Sequence, residues 1–350
     1  MNTSHILFIA IFCIAMCCFS KKQLCAEEQP ASQSNGNPDF ATRIKHPPLI
    51  VYAGNASDFA FSSDSKSLVF SAGGKVLILD NQTHKINSPL PEGPTQYLMA
   101  SLSPDQKWIL TGDTDYRVAL HEAKTGKQVK KLGLFKDQPN HAVFSPSGEF
   151  VAAIAGRQES ELAIWDLLDA TRQINLRGPQ ATLNDLQFSP DGQSMAAASG
   201  DGAVIVWDTT GWKWKVRRGA WIATNGGVTS IAFSPHGQKL AAAAGWEHQI
   251  TFLDILTGKV TGHIDTGRQS LFHHIAFSPD GRVIALSNGG TQIRFWDPST
   301  LAPSGLLDCA GNAFRIGFSS DGRFLAAITA KGLLLWSIAD KIQQVPDKRL

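Results

Sequence analysis

The sequence has little cysteine, and four of its five cysteines lie within the first 26 residues. If those residues are removed, Cys309 remains alone, so the chain cannot form an intrachain disulfide. A chain of this length buries a core large enough to be stable without one. We expect Cys309 to be a small structural residue; a reactive thiol or an intermolecular bridge is the alternative.

The sequence also lacks an excess of either charge, since 32 Lys and Arg residues face 30 Asp and Glu residues. A formal net charge of +2 gives no strong attraction to nucleic acid or to anionic membranes. We therefore expect no nucleic-acid partner.

The common catalytic motifs are missing as well. The chain contains no Walker loop, no nucleophile elbow, no HExxH, no paired CxxC and no dinucleotide-binding glycine fingerprint. Missing motifs do not by themselves exclude catalysis, because a site can be assembled from separate parts of a chain. Nothing in the sequence supports an enzyme or a cofactor, and we expect neither.

Long apolar runs are absent except at residues 6–19, where fourteen residues are too short for a comfortable membrane span. This length is typical of the core of a signal peptide, and Leu24-Cys25-Ala26 offers a cleavage site. We predict that residues 1–26 are a signal peptide and that the protein is exported to the periplasm or the extracellular space, with no membrane span after cleavage. No Lys or Arg precedes the run and Lys21-Lys22 follow it, so an uncleaved membrane anchor is the alternative.

Residues 27–46 are rich in Gln, Ser, Asn, Pro and charge and show no periodicity. This composition predicts a flexible linker between the export segment and the folded body.

What the chain has in abundance is one repeated turn. A Ser-Pro-Asp-Gly sequence or a close variant follows an apolar anchor residue seven times, at spacings of 41, 42, 44, 45, 44 and 41 residues. Pro presets φ, Asp bonds its own backbone and Gly takes the positive φ that closes a hairpin. The anchors are Phe61, Leu102, Phe144, Phe188, Phe233, Phe277 and Phe318.

Each anchor is followed, 18 to 21 residues later, by the end of an apolar strand, which is Trp-Asp at Trp165-Asp166, Trp207-Asp208 and Trp296-Asp297. A polar fourth strand follows most of these ends. Each repeat therefore predicts four short antiparallel strands, which cannot be stable alone and must pack on neighbouring repeats.

The period, the turn and the Trp-Asp pairs resemble WD repeats over residues 47–350. The resemblance implies an all-β fold, a single seven-bladed β-propeller of four-stranded antiparallel blades around a central channel. In such a ring one terminus supplies the outer strand of the last blade. We expect residues 48–53 to do so, and residues 342–345 are the rival.

The inner strand of a propeller lines its channel, so the position three residues before each anchor is a candidate site. Carboxylates and imidazoles at this position are of the type that binds metals, but the set is too mixed to name a metal, and polar channel residues are the ordinary expectation. The set, here called the channel ring, is Asp58, Met99, His141, Asp185, Ser230, His274 and Arg315.

A second candidate is aromatic. Trp212, Trp214, Trp221 and Trp246 lie outside the Trp slot of the repeat. We expect the first two to fill space between blades. Trp221 and Trp246, with the neighbouring His248, form a hypothetical binding patch for a protein or a glycan, because Trp is favoured at interfaces.

Resemblance to WD repeats implies a non-catalytic interaction scaffold with one or more protein partners. The alternative is an enzyme or a ligand- or metal-binding propeller that uses the channel ring. Quinone-cofactor propellers have similar Thr-Gly-Lys turns, but the Trp that docks the quinone is missing after Lys127 and Lys259. Envelope-assembly propellers share the turn but lack the Trp-Asp ends.

Overall fold

The computed structural model describes residues 40–44, 47–91, 95–156, 161–169, 173–175, 181–216, 227–244, 248–267, 274–287, 289–309 and 311–338, with the side chains of 173, 175 and 213–216 left out. The chain divides into two compact units, residues 1–37 and 38–350, and every described residue belongs to the second. The described part contains one 3-10 helix, Phe40–Arg43, and no α-helix. In that part, no helix is long and apolar enough to cross a membrane.

The strands form seven four-stranded antiparallel sheets, which are the seven predicted blades. The inner strands are β2 (Ala56–Phe61), β6 (Tyr97–Leu102), β10 (Pro139–Phe144), β14 (Leu183–Phe188), β18 (Val228–Phe233), β22 (His274–Phe277) and β26 (Ala313–Phe318). The second strands are β3 (Ser67–Ala72), β7 (Trp108–Asp113), β11 (Phe150–Ala155), β15 (Ser194–Ser199), β19 (Lys239–Ala244), β23 (Ile284–Ser287) and β27 (Phe324–Thr329).

The remaining strands complete each blade toward the outside of the ring. The third strands are β4 (Lys75–Asp80), β8 (Arg117–Glu122), β12 (Glu161–Asp166), β16 (Val204–Asp208), β20 (Gln249–Asp254), β24 (Gln292–Trp296) and β28 (Gly332–Ser337). The outer strands are β5 (Ile86–Asn87), β9 (Gln128–Leu134), β13 (Gln173–Asn175), β17 (Lys213–Val216), β21 (Val260–Asp265), β25 (Pro303–Asp308) and β1 (Leu49–Tyr52).

The repeated turn is held by its serine and its aspartate. In blade four, the Ser189 hydroxyl accepts a hydrogen bond from the Ser194 amide at 2.9 Å and donates to Asp191 at 2.5 Å, and Asp191 accepts from the Gln193 amide at 3.0 Å. Gly192 has φ +70°, which a residue without a Cβ adopts at little cost. The roles of Asp191 and Gly192 are those predicted from the sequence, whereas the hydrogen bonds of the serine hydroxyl were not predicted.

The core lies between the blades. Seven clusters of buried apolar side chains each combine residues from two neighbouring blades. Four of the seven slots hold a tryptophan, and all four indoles are buried, with Trp207 and Trp336 fully buried. The mostly small side chains of β15 and β19 let adjacent sheets approach closely.

The N-terminal strand closes the ring, as expected. β1 pairs antiparallel with β28, so blade seven consists of β26, β27, β28 and β1. The rival segment, residues 342–345, lies outside the described residues.

The structure differs from the sequence interpretation at the end of the predicted linker. Residues 40–44 contain the 3-10 helix, and Ile44 forms an isolated bridge with Ile338. Phe40 is buried against Phe295 and Phe318, at ring-centroid distances of 4.9 and 6.2 Å. The folded body therefore begins by residue 40, because Phe40 and Ile44, two apolar residues in a polar segment, are buried between blades six and seven.

Candidate functional site

Six of the inner strands share an irregularity that positions the side chains of the channel ring. In six of them the pairing register shifts just before the ring position, for example between Leu183 and Asp185 in β14. The shift is a β-bulge, which bends the strand and redirects the next side chain. In blade six the residues just before His274 lie outside the described part of the chain, so the pairing there is not described.

Most ring side chains are buried. Asp58, Met99, His141, Asp185 and Ser230 are each at most 6% exposed. The Arg315 side chain is 26% exposed. Polar side chains this deeply buried need partners, and the structure shows that they find them mainly on neighbouring blades.

Asp185 and Ser230 connect three consecutive blades. One Asp185 oxygen accepts from its neighbouring amide, that of Leu186, at 2.9 Å. The other accepts from the Ser230 hydroxyl at 2.7 Å and the Ile231 amide at 3.0 Å in blade five. The Ser230 oxygen in turn accepts from the Ile275 amide of blade six at 3.3 Å. These side chains therefore occupy the free edges of the inner strands, which would otherwise be unpaired.

Arg315 connects the last blade to the first and reaches toward the third. Its Nε lies 3.1 Å from Asp58 Oδ1, and its Nη2 lies 3.5 Å from Nδ1 of His141. On the other side of its ring, His141 Nε2 is 3.7 Å from Asp185 Oδ1. A connected set of Asp58, Arg315, His141 and Asp185 thus extends around and across the channel.

Burial is the largest effect on the pKa values of the two aspartates in this set. Burial raises the pKa of Asp58 to about 6, although the Arg315 guanidinium and the Phe59 and Ala100 amides favour the carboxylate. Burial also raises the pKa of Asp185, against Arg315 and its hydrogen bonds.

The two imidazoles are driven toward the neutral form. Burial and then the charge of Arg315 hold the pKa of His141 and of His274 well below the usual value. Both ring nitrogens of His274 are buried and have no hydrogen bond to any described residue. His274 therefore lies beside the connected set without joining it.

The arrangement offers little to a reacting ligand. The Asp185 oxygens are taken by protein donors, and Arg315 crosses the channel. In the part of the chain that the structure describes, no three His, Cys, Asp or Glu side chains lie close enough to hold a metal ion. The hydrogen bonds and ion pairs of these side chains instead join the blades to one another.

The predicted aromatic patch is only partly placed. Trp221 and Trp246 lie outside the described residues. His248 has φ +54°, and its carbonyl accepts from the amide and the hydroxyl of Thr266 at 2.9 and 2.7 Å. The structure therefore does not test whether the three residues meet.

Two other sequence expectations are resolved. Trp212 packs edge-on against Phe150 and Phe188, between blades three and four, which is the space-filling role predicted for it. The side chain of Trp214 lies outside the part of the chain that the structure describes. Cys309 is fully buried, and burial raises the pKa of its thiol to about 11, so it is the structural residue expected.

Sequence reasoning missed two further contacts between blades. The Asn184 and Gln187 side chains of blade four donate to the Val228 and Ile231 carbonyls of blade five, at 2.7 and 2.6 Å. Asn184 and Gln187 lie four residues and one residue before the anchor Phe188, so the offset of three residues that defines the channel ring does not find them.

Comparison with known proteins agrees with this architecture. The family model "WD domain, G-beta repeat" matches residues 171–208 and 218–254. The "66 kDa stress protein" of Physarum polycephalum is 28% identical over 197 residues, covering 55% of this chain and 28% of its own length. The "WD repeat and SOCS box-containing protein 1" of Danio rerio is 29% identical over 242 residues, covering 65% of this chain and 56% of its own.

A third relative, the "WD repeat and HMG-box DNA-binding protein 1" of Homo sapiens, is 31% identical over 119 residues, 29% of this chain and 10% of its own. The matches to these three relatives thus span from about a tenth to just over half of their lengths.

Two solved structures share the fold. A chain of the Mitotic Checkpoint Complex has a TM-score of 0.70 at 18% identity and covers 91% of this chain and 100% of that chain. The β-propeller domain of Myceliophteria thermophila Cps50 (Swd1) has a TM-score of 0.70 at 16% identity and covers 84% and 100%. The chain is therefore a seven-bladed β-propeller that carries WD40 repeats.

Proposed function

We propose that the protein is a non-catalytic interaction scaffold that acts outside the cytoplasm. The observation that carries the proposal is that the polar channel residues hydrogen-bond to neighbouring blades and so stabilise the ring. Propellers with WD40 repeats are typically scaffolds for protein interaction and are generally not catalytic. A rigid ring whose polar interior is used for its own assembly suits such a role.

The partner surface that we propose consists of Trp221, Trp246 and His248. Two tryptophans that fill no Trp slot of the repeat are the kind of side chain that anchors an interface. A protein is the partner class we favour, and a glycan is the second class that stacked indoles accommodate.

The proposed location rests on the apolar run at residues 6–19 and the cleavage site ending at Ala26. Fractionation of the native host, with the mass of the purified protein, tests it. We expect the protein in the periplasmic or extracellular fraction, lacking 26 residues. A full-length chain in the membrane fraction would favour the anchor, and one in the cytoplasm would contradict export.

The alternative function, a ligand- or metal-binding channel, has less support. Its candidate residues Asp58, His141, Asp185 and Arg315 contact one another, and His274 has buried nitrogens. A ligand would have to break these contacts first.

A pull-down with the full chain tests the scaffold. The variant Trp221→Ala/Trp246→Ala is compared with Leu168→Ala/Leu256→Ala, which removes two leucines that are 80% and 83% exposed. Circular dichroism first shows that all three proteins are folded. We expect one protein to be captured by the parent and the leucine variant and lost by the tryptophan variant.

Equal capture by all three would reject the tryptophan patch and keep the scaffold. The absence of any specific protein partner would contradict the scaffold itself.

A further inference from the structure

The small net charge of the chain conceals an uneven distribution. Five lysines lie along the outside of blades one and two, before β5, in the turn before β9 and on β9 itself. Four are exposed and Lys130 is half-buried. We call this surface the lysine rim; its members are Lys85, Lys124, Lys127, Lys130 and Lys131.

The rim lysines are not neutralised by ion pairs. Elsewhere Lys66, Lys107 and Lys136 lie within 3.7, 3.4 and 3.4 Å of a carboxylate. Among the residues that the structure describes, no carboxylate lies within such a distance of a rim lysine.

The two acidic groups of the same turns are engaged with other donors. Asp80 accepts from the Gln82 and Thr83 amides, and Glu122 accepts from the Thr125 hydroxyl. Among the described residues of these turns and of β9, five lysines stand against two carboxylates, so this surface is positive. β1, β21 and β25, which are outer strands with described side chains, carry no lysine.

The two parts of the rim belong to one surface. Gly126, in the turn that carries Lys124 and Lys127, packs directly against the carbonyl of Pro89, in the segment that follows β5. Any side chain at position 126 would collide with that carbonyl, so the turn of blade two lies against the end of blade one.

Apolar side chains accompany the charges. Val129 and Leu134 of β9 are 48% and 72% exposed, and Ile86 of β5 is 41% exposed. Lysines beside exposed aliphatic groups suit a surface that is anionic on the outside and apolar beneath, because ammonium groups meet head groups while aliphatic groups enter the boundary.

The amino-acid composition of the rim and the backbone of β9 argue against an acidic protein or a nucleic acid as its partner. Tight protein interfaces favour Arg, Trp and Tyr and disfavour Lys, and the rim has none of the first three. The pairing of β9 with β8 shifts register twice. These shifts make the exposed edge of β9 irregular, whereas an added strand needs a regular edge. Neither β9 nor the turn before it carries an Arg or an aromatic side chain, which nucleic-acid sites use beside Lys to read or stack bases.

We propose that the lysine rim is a membrane-facing surface that binds anionic phospholipid. This goes beyond the scaffold function, because it says which side of the ring faces a bilayer.

Vesicle binding by the full chain tests the proposal, with phosphatidylcholine alone and phosphatidylcholine mixed with phosphatidylglycerol. The ratio of the two affinities is the measured quantity, and the N-terminal segment with Lys21-Lys22 is the same in every variant, so its contribution cancels when the ratios of the variants are compared. The rim variant Lys124→Gln/Lys127→Gln/Lys131→Gln is compared with Lys66→Gln/Lys107→Gln/Lys136→Gln, which makes the same change in net charge at paired lysines.

A lysine at an anionic surface improves binding about fivefold. We expect the rim variant to lower the affinity ratio about a hundredfold and the control variant to change it by less than about threefold. The wild-type ratio should fall as salt is added.

A wild-type ratio near unity would overturn the proposal, and so would equal losses in the two variants. Two further arms use polyglutamate and a DNA duplex without lipid. Rim-dependent binding to either, tighter than binding to the anionic vesicles, would reassign the rim to an acidic protein or to nucleic acid.

Discussion

Buried ionisable side chains are the feature that most distinguishes individual residues of this protein. Asp58, His141, Asp185 and His274 are held near the channel where water cannot solvate them, and their pKa values shift toward the neutral forms. Hydrogen bonds across blades compensate three of them, but not His274. The sequence shows that these four positions hold ionisable side chains, but it does not show that the side chains are buried.

The raised pKa of Asp58 predicts a specific pH dependence. Because the folded protein binds this proton more tightly, the contribution of Asp58 to stability is complete below about pH 4 and is lost as the pH rises through about 6. Relative to Asp58→Asn, the free energy of unfolding of the wild type should fall by about 3 kcal/mol in total, from about pH 3, below both pKa values, to about pH 7, above both. Urea unfolding at a series of pH values measures the difference.

Asp64→Asn is the control for that experiment. Hydrogen bonds from Gln106 and Lys66 hold the pKa of Asp64 at about 2, so its contribution should be lost as the pH falls, which is the opposite sign. A pH-independent difference for Asp58→Asn would contradict the burial argument.

At the scale of elements, the hairpin turn is the unit that repeats. In five blades, the turn serine both accepts an amide and donates to an aspartate two residues on. Blade three has Ser147 and blade five has His236 in place of that aspartate. The strand boundaries follow from these turns, which is why they could be predicted closely.

The turns therefore predict unequal effects of the same substitution. Ser189→Ala removes a hydroxyl that bonds both Asp191 and the Ser194 amide, while Ser234→Ala removes one that accepts only from the Lys239 amide, at 3.1 Å, among the described contacts. We expect losses of unfolding free energy of about 2 and about 1 kcal/mol respectively. Denaturant titration measures both, and equal losses would show that the aspartate adds nothing.

The inner-strand bulge is an element that sequence reasoning did not predict. It adds one residue without a turn signal, and the sequence shows no glycine at that place in six strands. Only the pairing of β-strands reveals which residue is displaced. The bulge is nevertheless what directs the channel ring.

At the scale of the whole molecule, ring closure depends on residues far apart in the chain. β1 completes blade seven, Phe40 packs beside that blade, and the Arg315–Asp58 pair joins blades seven and one. Closure therefore needs residues from both ends of the described chain.

Phe40→Ala tests the importance of the first of these residues. Its ring is 5% exposed, so truncation leaves a cavity between blades, and we expect a loss of about 3 kcal/mol of unfolding free energy. The control is Ile50→Ala on β1, which is 61% exposed and should cost less than about 1 kcal/mol. Both are measured by chemical denaturation, and a Phe40→Ala loss no larger than the control would mean that the 3-10 helix contributes nothing to closure.

The charge distribution is also a property of the whole molecule. A net charge of +2 suggested no attraction to anionic surfaces, yet the lysine rim collects unpaired lysines on two neighbouring blades. The net charge does not say where the charges lie. Only the fold brings the turn that carries Lys124 and Lys127 against the segment that follows β5.

The sequence by itself determined the number of blades, the strands of each and the turns between them, because all of these depend on local patterns repeated seven times. It also indicated the N-terminal closing strand, since residues 48–53 read as a strand that no repeat uses. The tertiary structure decided that residues 40–44 join the core, that Arg315 crosses the channel and that the ring carboxylates are paired. These contacts join residues as far apart in the chain as Ile44 and Ile338, and their energies depend on burial, which no local pattern records.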